Sequence, residues 1–116
     1  MSLEVKYIKA RGTQEERIVF VAKTNLDIGK YLVFTSKQLE GDQFSSSIKQ
    51  PFWFPDKLVN KGDLIVLYTK VGSTSVKDNS EGTKSHFYYR NLSNPIFTDD
   101  KTIGILIESL DWNPIK

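Results

Sequence analysis

The turn Asn60-Lys61-Gly62-Asp63 and the apolar run that follows it constrain this chain more than any other stretch. Glycine takes a positive φ angle without steric cost, and asparagine and aspartate are common in turns, so these four residues predict a tight turn. The run Leu64 to Thr69 is short and rich in β-branched and aromatic residues, which favours a strand over a helix. Both of its faces are apolar. We therefore expect a central strand that is covered on both sides.

Turn signals recur at short intervals along the rest of the chain, as is typical of an all-β domain. No window has the spacing of an amphipathic helix, and no repeat or linker divides the sequence. We predict a single domain, residues 1–116, built from about seven to nine strands. The other expected strands are residues 3–10, 17–22, 30–36, 52–54, 86–90 and 102–110.

The remaining polar stretches are expected to be turns and loops. Leu39 to Gln50 contains three consecutive serines and predicts a surface loop with at most a short extended segment. Gly72 to Ser85 is the longest polar stretch and predicts a mobile loop, either functional or only flexible. Asp99-Asp100 indicates a turn in preference to a cation site. Trp112 is expected to close one end of the core.

Charge and cysteine content exclude several classes of protein. The 16 basic and 14 acidic side chains give a net charge of +2 without a long run of either sign, so nucleic-acid binding is permitted but not indicated. The absence of cysteine excludes a disulfide framework, a thiol nucleophile and a thiolate metal site. A single histidine excludes a multi-histidine zinc site within one chain. We expect no metal and no cofactor.

The apolar segments are all short. None approaches the roughly 18 to 20 residues that a membrane-spanning helix requires, and the N-terminal residues lack the pattern of a signal peptide. The sequence therefore predicts no membrane association and a cytoplasmic location.

Several segments of the sequence, taken in order, resemble the lamin-tail domain. They are Tyr31-Leu32-Val33-Phe34, Phe52-Trp53-Phe54-Pro55, Gly62-Asp63 with the strand after it, Ile96-Phe97, Asp99-Asp100, Ile103 to Ile107 and Trp112. The resemblance implies an immunoglobulin-like β-sandwich and a role as an interaction module, because that family has both. More closely, the Phe-Trp-Phe-Pro and Leu-Tyr-Thr-Lys segments, followed by His86-Phe87-Tyr88-Tyr89, resemble small stand-alone bacterial proteins of unassigned function. The family often has a tryptophan where this chain has Phe97.

Catalysis has little support in the sequence. A serine hydrolase would need His86 as its base, with a nucleophile and an orienting acid. Gly72-Ser73-Thr74-Ser75 lacks the two glycines that flank the serine of a nucleophile elbow. We therefore expect a protein that is not an enzyme, and a small hydrolase centred on His86 stays as an alternative.

Aromatic and basic residues meet at two places and define the candidate binding residues. If Trp53 points away from Phe52 and Phe54, then either Trp53 or that pair lies at the surface. Several strands are apolar on both faces, whereas a two-sheet sandwich buries one face of each strand, so a partner is expected to cover part of the surface. The candidate residues are Trp53, Tyr88, Tyr89, His86, Arg90, Lys49 and Lys57.

Two kinds of partner fit these candidate residues. We predict that Trp53, Tyr88 and Tyr89 contribute to an exposed aromatic patch that binds an unknown protein partner or a second copy of the chain. The alternative is a nucleic-acid-binding module in which bases stack on the same aromatics and Lys49, Lys57 and Arg90 supply positive charge.

Overall fold

The computed structural model describes all residues from Met1 to Lys116, and nearly all of its regular structure is β. The only helical segment is a 3-10 turn at Ile28–Lys30. The ten strands are β1 (Leu3–Lys9), β2 (Arg17–Ala22), β3 (Leu26–Asp27), β4 (Tyr31–Lys37), β5 (Lys49–Trp53), β6 (Leu58–Val59), β7 (Leu64–Tyr68), β8 (Ser75–Asp78), β9 (Lys84–Tyr89) and β10 (Thr102–Glu108).

Two sheets pack face to face and confirm the predicted all-β sandwich. The large sheet has five strands in the order β1-β2-β7-β9-β8, and the small sheet has three in the order β10-β4-β5. A two-stranded pair, β3 with β6, is hydrogen-bonded to neither sheet, and Val59 of this pair belongs to the core cluster. All neighbouring strands are antiparallel except β7 and β9, which run parallel.

Strand β7 occupies the centre of the large sheet, as the sequence predicts. It pairs with β2 on one side and with β9 on the other, and Ile65, Val66 and Leu67 are all buried. The turn before it has the expected geometry, with Gly62 at a φ of 90°. Ala22 N donates to Asp63 O at 3.0 Å, which ties the end of β2 to the start of β7.

The core lies between the inner faces of the two sheets. Phe20, Phe54 and Tyr88 meet edge to face, with ring centroids 5.8 Å apart for Phe20 and Phe54 and 5.4 Å apart for Phe54 and Tyr88. Aromatic pairs in this arrangement are stabilised beyond the effect of their buried area, by about 0.5–1.5 kcal/mol each. The cluster also contains aliphatic side chains from both sheets, including Leu3, Ile18, Val33 and Ile65.

Two predictions about the polar and terminal segments are wrong. Residues 72–85 are not a single loop, because Ser75–Asp78 pairs with β9 as β8 and only a short turn around Gly82 separates the two strands. Without β8, the outer edge of β9 would have unpaired amide and carbonyl groups. Trp112 does not close the core, since its side chain is 62% exposed.

Candidate interaction surfaces

The outer face of the small sheet is largely apolar, and its part around Trp53 and Ile107 is open to solvent, whereas Phe34 and Ser36 on the same face are buried. Ile107 on β10, Leu32 on β4 and Trp53 on β5 are direct neighbours in register, so they form one row across the sheet. Ile105 and Phe34 form the next row, and Ile103 and Ser36 the third. Trp53 is 47% exposed and Ile107 is 39% exposed. We call this surface, together with Trp112, the tryptophan face.

Trp53 is held in one orientation on this face. Its indole Nε1 donates a hydrogen bond to Gly29 O in the 3-10 turn at 2.7 Å. The ring of Trp112 packs against it edge to face, with centroids 5.6 Å apart and an interplanar angle of 88°. The residues after β10 therefore return over the small sheet, and both tryptophans stay accessible.

The outer face of the large sheet carries a second aromatic cluster. Tyr68 and Tyr89 are register neighbours, and their rings stack with centroids 5.2 Å apart and an interplanar angle of 8°. Phe87 is on the same face, and the centroid of its ring is 6.5 Å from that of Tyr68. Tyr7, on the edge strand β1, lies in the same cross-strand row as Phe87 and is 48% exposed. We call these four residues the tyrosine face.

Two cations lie over the ring of Tyr68. The Arg17 guanidinium carbon is 5.4 Å and Lys70 Nζ is 5.0 Å from the ring centroid, both within the range of a cation–π contact. Lys70 Nζ is also 2.7 Å from Glu15 Oε2. The hydrogen bond that Lys70 Nζ donates to this carboxylate raises the pKa of Lys70 above its ordinary value. The tyrosine face thus combines aromatic rings with the Arg17 guanidinium and with a lysine ammonium that is paired with Glu15.

The predicted patch of Trp53, Tyr88 and Tyr89 does not exist as one surface. Trp53 lies on the outer face of the small sheet and Tyr89 on the outer face of the large sheet. The expectation that Tyr88 is exposed is wrong, because its side chain is in the core and only 2% exposed. Successive residues of a strand point to opposite faces, so Tyr88 and Tyr89 cannot share a surface.

His86 lies on the same inward side of β9 as Tyr88 and is 3% exposed. Its Nε2 is 2.9 Å from Asp63 Oδ2, and Asp63 also accepts hydrogen bonds from Asn60 N and Lys84 N. An ionised carboxylate can only accept, so Nε2 carries the proton of this hydrogen bond. The pair joins the turn before β7 to β9. A substrate cannot reach either side chain without local opening of the sandwich.

The basic candidates lie at different places. Lys49 is exposed at the start of β5, and Lys57 is exposed in the segment whose backbone bonds to Asp27 and Ile28. Arg90 follows β9, and its two terminal nitrogens are buried without a hydrogen-bond partner. Lys49, Lys57 and Arg90 therefore do not line either aromatic face as a group.

The Asp99-Asp100 segment forms the predicted turn. Asp99 Oδ1 accepts hydrogen bonds from Lys101 N at 2.9 Å and Thr102 N at 2.8 Å. Its other carboxylate oxygen is 2.6 Å from Lys37 Nζ, and this contact holds the pKa of Asp99 well below its ordinary value. No group of three or more histidine or acidic side chains is arranged to hold a metal ion, and no helix is long and apolar enough to cross a membrane.

The sequence indicates only part of both faces. It singles out Trp53 and Tyr89, but Tyr68, Phe87, Leu32 and Ile107 are missed as surface residues. Alternation along each strand shows which residues share a face, and it does not show which face points outward. Pairing Tyr68 with Tyr89 requires the parallel contact of β7 and β9, which are separated in sequence by β8.

Comparison with family models, with curated proteins and with solved structures found no match to this chain. The resemblance to the lamin-tail domain therefore rests on the sequence segments alone.

Proposed function

We propose that this protein is a non-catalytic interaction module, a lamin-tail-like sandwich of the cytoplasm that binds another protein through the tryptophan face. The observation that supports this proposal is the open apolar row of Ile107, Leu32 and Trp53 with Trp112 packed on its end. Tryptophan is enriched among the residues that contribute most to protein interfaces. Contiguous apolar patches of this kind mark interaction sites on soluble proteins.

The composition of the tryptophan face defines the chemistry of the partner. None of the residues in its three rows is charged. A protein partner must therefore offer apolar side chains at the centre of the contact, because an unpaired charge buried there would weaken binding. The fixed orientation of Trp53 reduces the entropy that binding would cost, since its indole is already hydrogen-bonded.

Site-specific photo-crosslinking tests this proposal. A photoreactive amino acid at position 107 should capture a partner in native lysate, and mass spectrometry would identify the captured peptide. The same amino acid at position 7, on the tyrosine face, is the matched control. We expect an adduct at position 107 that position 7 does not form.

The variant Trp53→Ala/Trp112→Ala tests whether adduct formation depends on the tryptophan face in a protein that keeps its fold. We expect it to lose at least tenfold in adduct yield while its circular dichroism spectrum is unchanged, because both tryptophans are at the surface. An adduct with a second copy of the chain would show that the protein associates with itself through this face. Equal adducts at positions 7 and 107, or an adduct that persists in the double variant, would contradict the proposal.

Nucleic-acid binding through the tyrosine face is a second candidate function. The supporting observation is the stack of Tyr68 on Tyr89 with Arg17 and Lys70 beside it, since bases stack on aromatic rings and cations attract phosphates. Fluorescence anisotropy with a labelled single-stranded oligonucleotide tests it. Binding should weaken steeply with added salt and in Tyr89→Ala, and it should be unchanged in Trp53→Ala. Binding that is insensitive to both salt and Tyr89→Ala would rule this candidate out.

A further inference from the structure

A polar cleft opens at the end of the sandwich where the inner face of the small sheet ceases to be apolar. Its main part has a volume of about 380 Å³, and Ile96 is its only apolar lining residue. A second part of about 300 Å³ and a third of about 70 Å³ adjoin it. Gln50 lines all three parts, and we call the three together the Gln50 cleft.

Gln50 has a backbone conformation that is rare for its residue type. Its φ angle is 46°, in the left-handed region that costs a residue with a side chain about 1–2 kcal/mol. It lies on β5 at the point where the register between β4 and β5 shifts, and its Oε1 accepts a hydrogen bond from the Thr35 hydroxyl. Held conformations of this kind concentrate at ligand sites.

The wall of the main part is rich in hydroxyl groups. They come from Thr35, Ser36, Ser45, Ser47, Thr98 and Thr102. Ser36 Oγ donates to backbone carbonyls, and Thr102 Oγ1 bonds to Asp99 and Lys37, so these hydroxyls are already engaged. Ser45 Oγ accepts from Ser47 N and keeps its hydrogen free. The hydroxyls of Ser47 and Thr98 make no hydrogen bond within the protein and are open to a ligand.

The charge of the cleft is positive. Lys37 and Lys49 line its main part and Arg90 lines its smallest part, whereas no acidic side chain lines any of the three. Lys37 is neutralised by Asp99 at 2.6 Å, but Lys49 has no ion pair. An ammonium group without a partner, next to free hydroxyl donors, is a suitable receptor for an anionic group.

The guanidinium of Arg90 lies below the surface of the smallest part of the cleft. Burial lowers the pKa of Arg90 to about 10, although the nearby Glu16 carboxylate acts in the opposite direction. Both oxygens of Glu16 are occupied by Thr69 Oγ1 and by the backbone amides of residues 12, 96 and 97. The terminal nitrogens of Arg90 lie too deep for a ligand to touch, and the nearby Glu16 carboxylate offsets the charge of the guanidinium, so the anionic group must be held by Lys49.

We propose that the Gln50 cleft binds a small hydroxylated organic anion, such as a sugar phosphate or a sugar acid, with its anionic group at Lys49. The hydroxyls of Ser45, Ser47 and Thr98 donate to this ligand, and the Gln50 side chain positions it. The volume of the main part is within the usual range for small-molecule sites. This proposal does not depend on the tryptophan face.

Titration followed by amide chemical shifts in NMR tests the proposal. The probes are glucose 6-phosphate, gluconate, inorganic phosphate and glucose. We expect saturable shifts at residues 45–50 and 98 with glucose 6-phosphate or gluconate, weaker shifts with phosphate, and the weakest with glucose. Whichever of the two organic anions binds more tightly identifies the anionic group. Shifts that do not saturate at millimolar concentration with either one would overturn the proposal.

The variant Lys49→Ala tests the placement of the anion. Lys49 is exposed, so the fold should be retained, and the loss of one charge-assisted contact should weaken binding about tenfold. Lys57→Ala is the matched control, because Lys57 is also exposed and lies outside the cleft, and it should leave binding unchanged. Equal weakening in both variants would mean that net charge alone attracts the anion and would overturn the site. Trp53→Ala/Trp112→Ala should still bind the anion, which keeps this test separate from that of the tryptophan face.

Discussion

At the scale of single residues, the two buried carboxylates, Glu16 and Asp63, are both surrounded by hydrogen-bond donors. Glu16 is fully buried, and its carboxylate receives four hydrogen bonds from Gly12, Thr69, Ile96 and Phe97. A buried carboxylate with this many donors does not incur the full cost of leaving water. Glu16 thereby fastens the segment before β10 to the start of β2. Nothing in the sequence around Glu16 indicates this role, because its donors lie as far away as residue 97.

Asp63 is the second buried carboxylate, and its environment predicts a pH-dependent stability. Burial alone would raise the pKa of Asp63, but the hydrogen bonds from His86, Lys84 and Asn60 outweigh burial and lower it. A carboxyl whose pKa is lower in the folded state contributes stability above its unfolded pKa of about 3.9, and this contribution is lost as the pH falls through the folded pKa.

We therefore expect Asp63→Asn to lower the free energy of unfolding by about 2 kcal/mol at pH 7. The difference from the unaltered protein should shrink as the pH falls below about 4. Urea denaturation at pH 7 and at pH 3 measures both effects. Asp42→Asn is the control, since Asp42 is exposed and should show neither. A difference of the same size at both pH values would show that the charge of Asp63 is not what stabilises the fold.

At the scale of elements, strand alternation decides which aromatic residues are available to a partner. On β9, His86 and Tyr88 face the core, whereas Phe87 and Tyr89 face outward. On β5, Phe52 packs against the core and Trp53 faces outward. Each aromatic run in the sequence therefore contributes both to the core and to one surface, and the two surfaces lie on opposite sides of the sandwich.

The hairpin of β8 and β9 depends on the conformation of its turn. Gly82 has a φ of 83°, where a side chain is strained even though open space surrounds this position. We expect Gly82→Ala to lower the free energy of unfolding by about 1 kcal/mol, because alanine disfavours a positive φ. Thermal or urea denaturation measures this change. Ser80→Ala in the same turn should change stability by less than half as much, and an equal effect of the two would argue against strain at Gly82.

At the scale of the whole molecule, the order of strands predicts where the structure opens first. β7 and β2 have hydrogen-bonded neighbours on both sides, whereas β1, β8, β5 and β10 are edge strands of their sheets. Local opening exposes edges before it reaches the centre of a sheet. The sandwich should therefore have its most stable part around β7 and its least stable parts at β8 and at the residues after β10.

Hydrogen exchange tests this order. We expect the amides of residues 65–67 to exchange only through global unfolding, and those of residues 75–78 to exchange faster by at least an order of magnitude. Exchange measured at several urea concentrations would distinguish global from local opening. Equal protection of β7 and β8 would contradict the expected order.

The sequence by itself determined several strands of this protein and the turn that leads into its central strand. Turn residues and apolar runs act over a few neighbouring positions, so residues 17–22, 31–36 and 64–68 could be recognised as strands without knowledge of the fold. The two-sided apolar pattern of residues 64–68 also predicted the central place of β7, because such a strand must be covered on both faces.

Only the tertiary structure decided which face of each strand points outward and which distant residues meet. His86 is buried because its Nε2 donates a hydrogen bond to Asp63, in another part of the chain, and residues 75–78 form a strand because β9 offers them an unpaired edge. The Gln50 cleft likewise combines side chains from β4, β5 and the segments before β5 and β10. Contacts of this kind depend on strand order and register, which are set by the packing of the whole sandwich and not by local sequence.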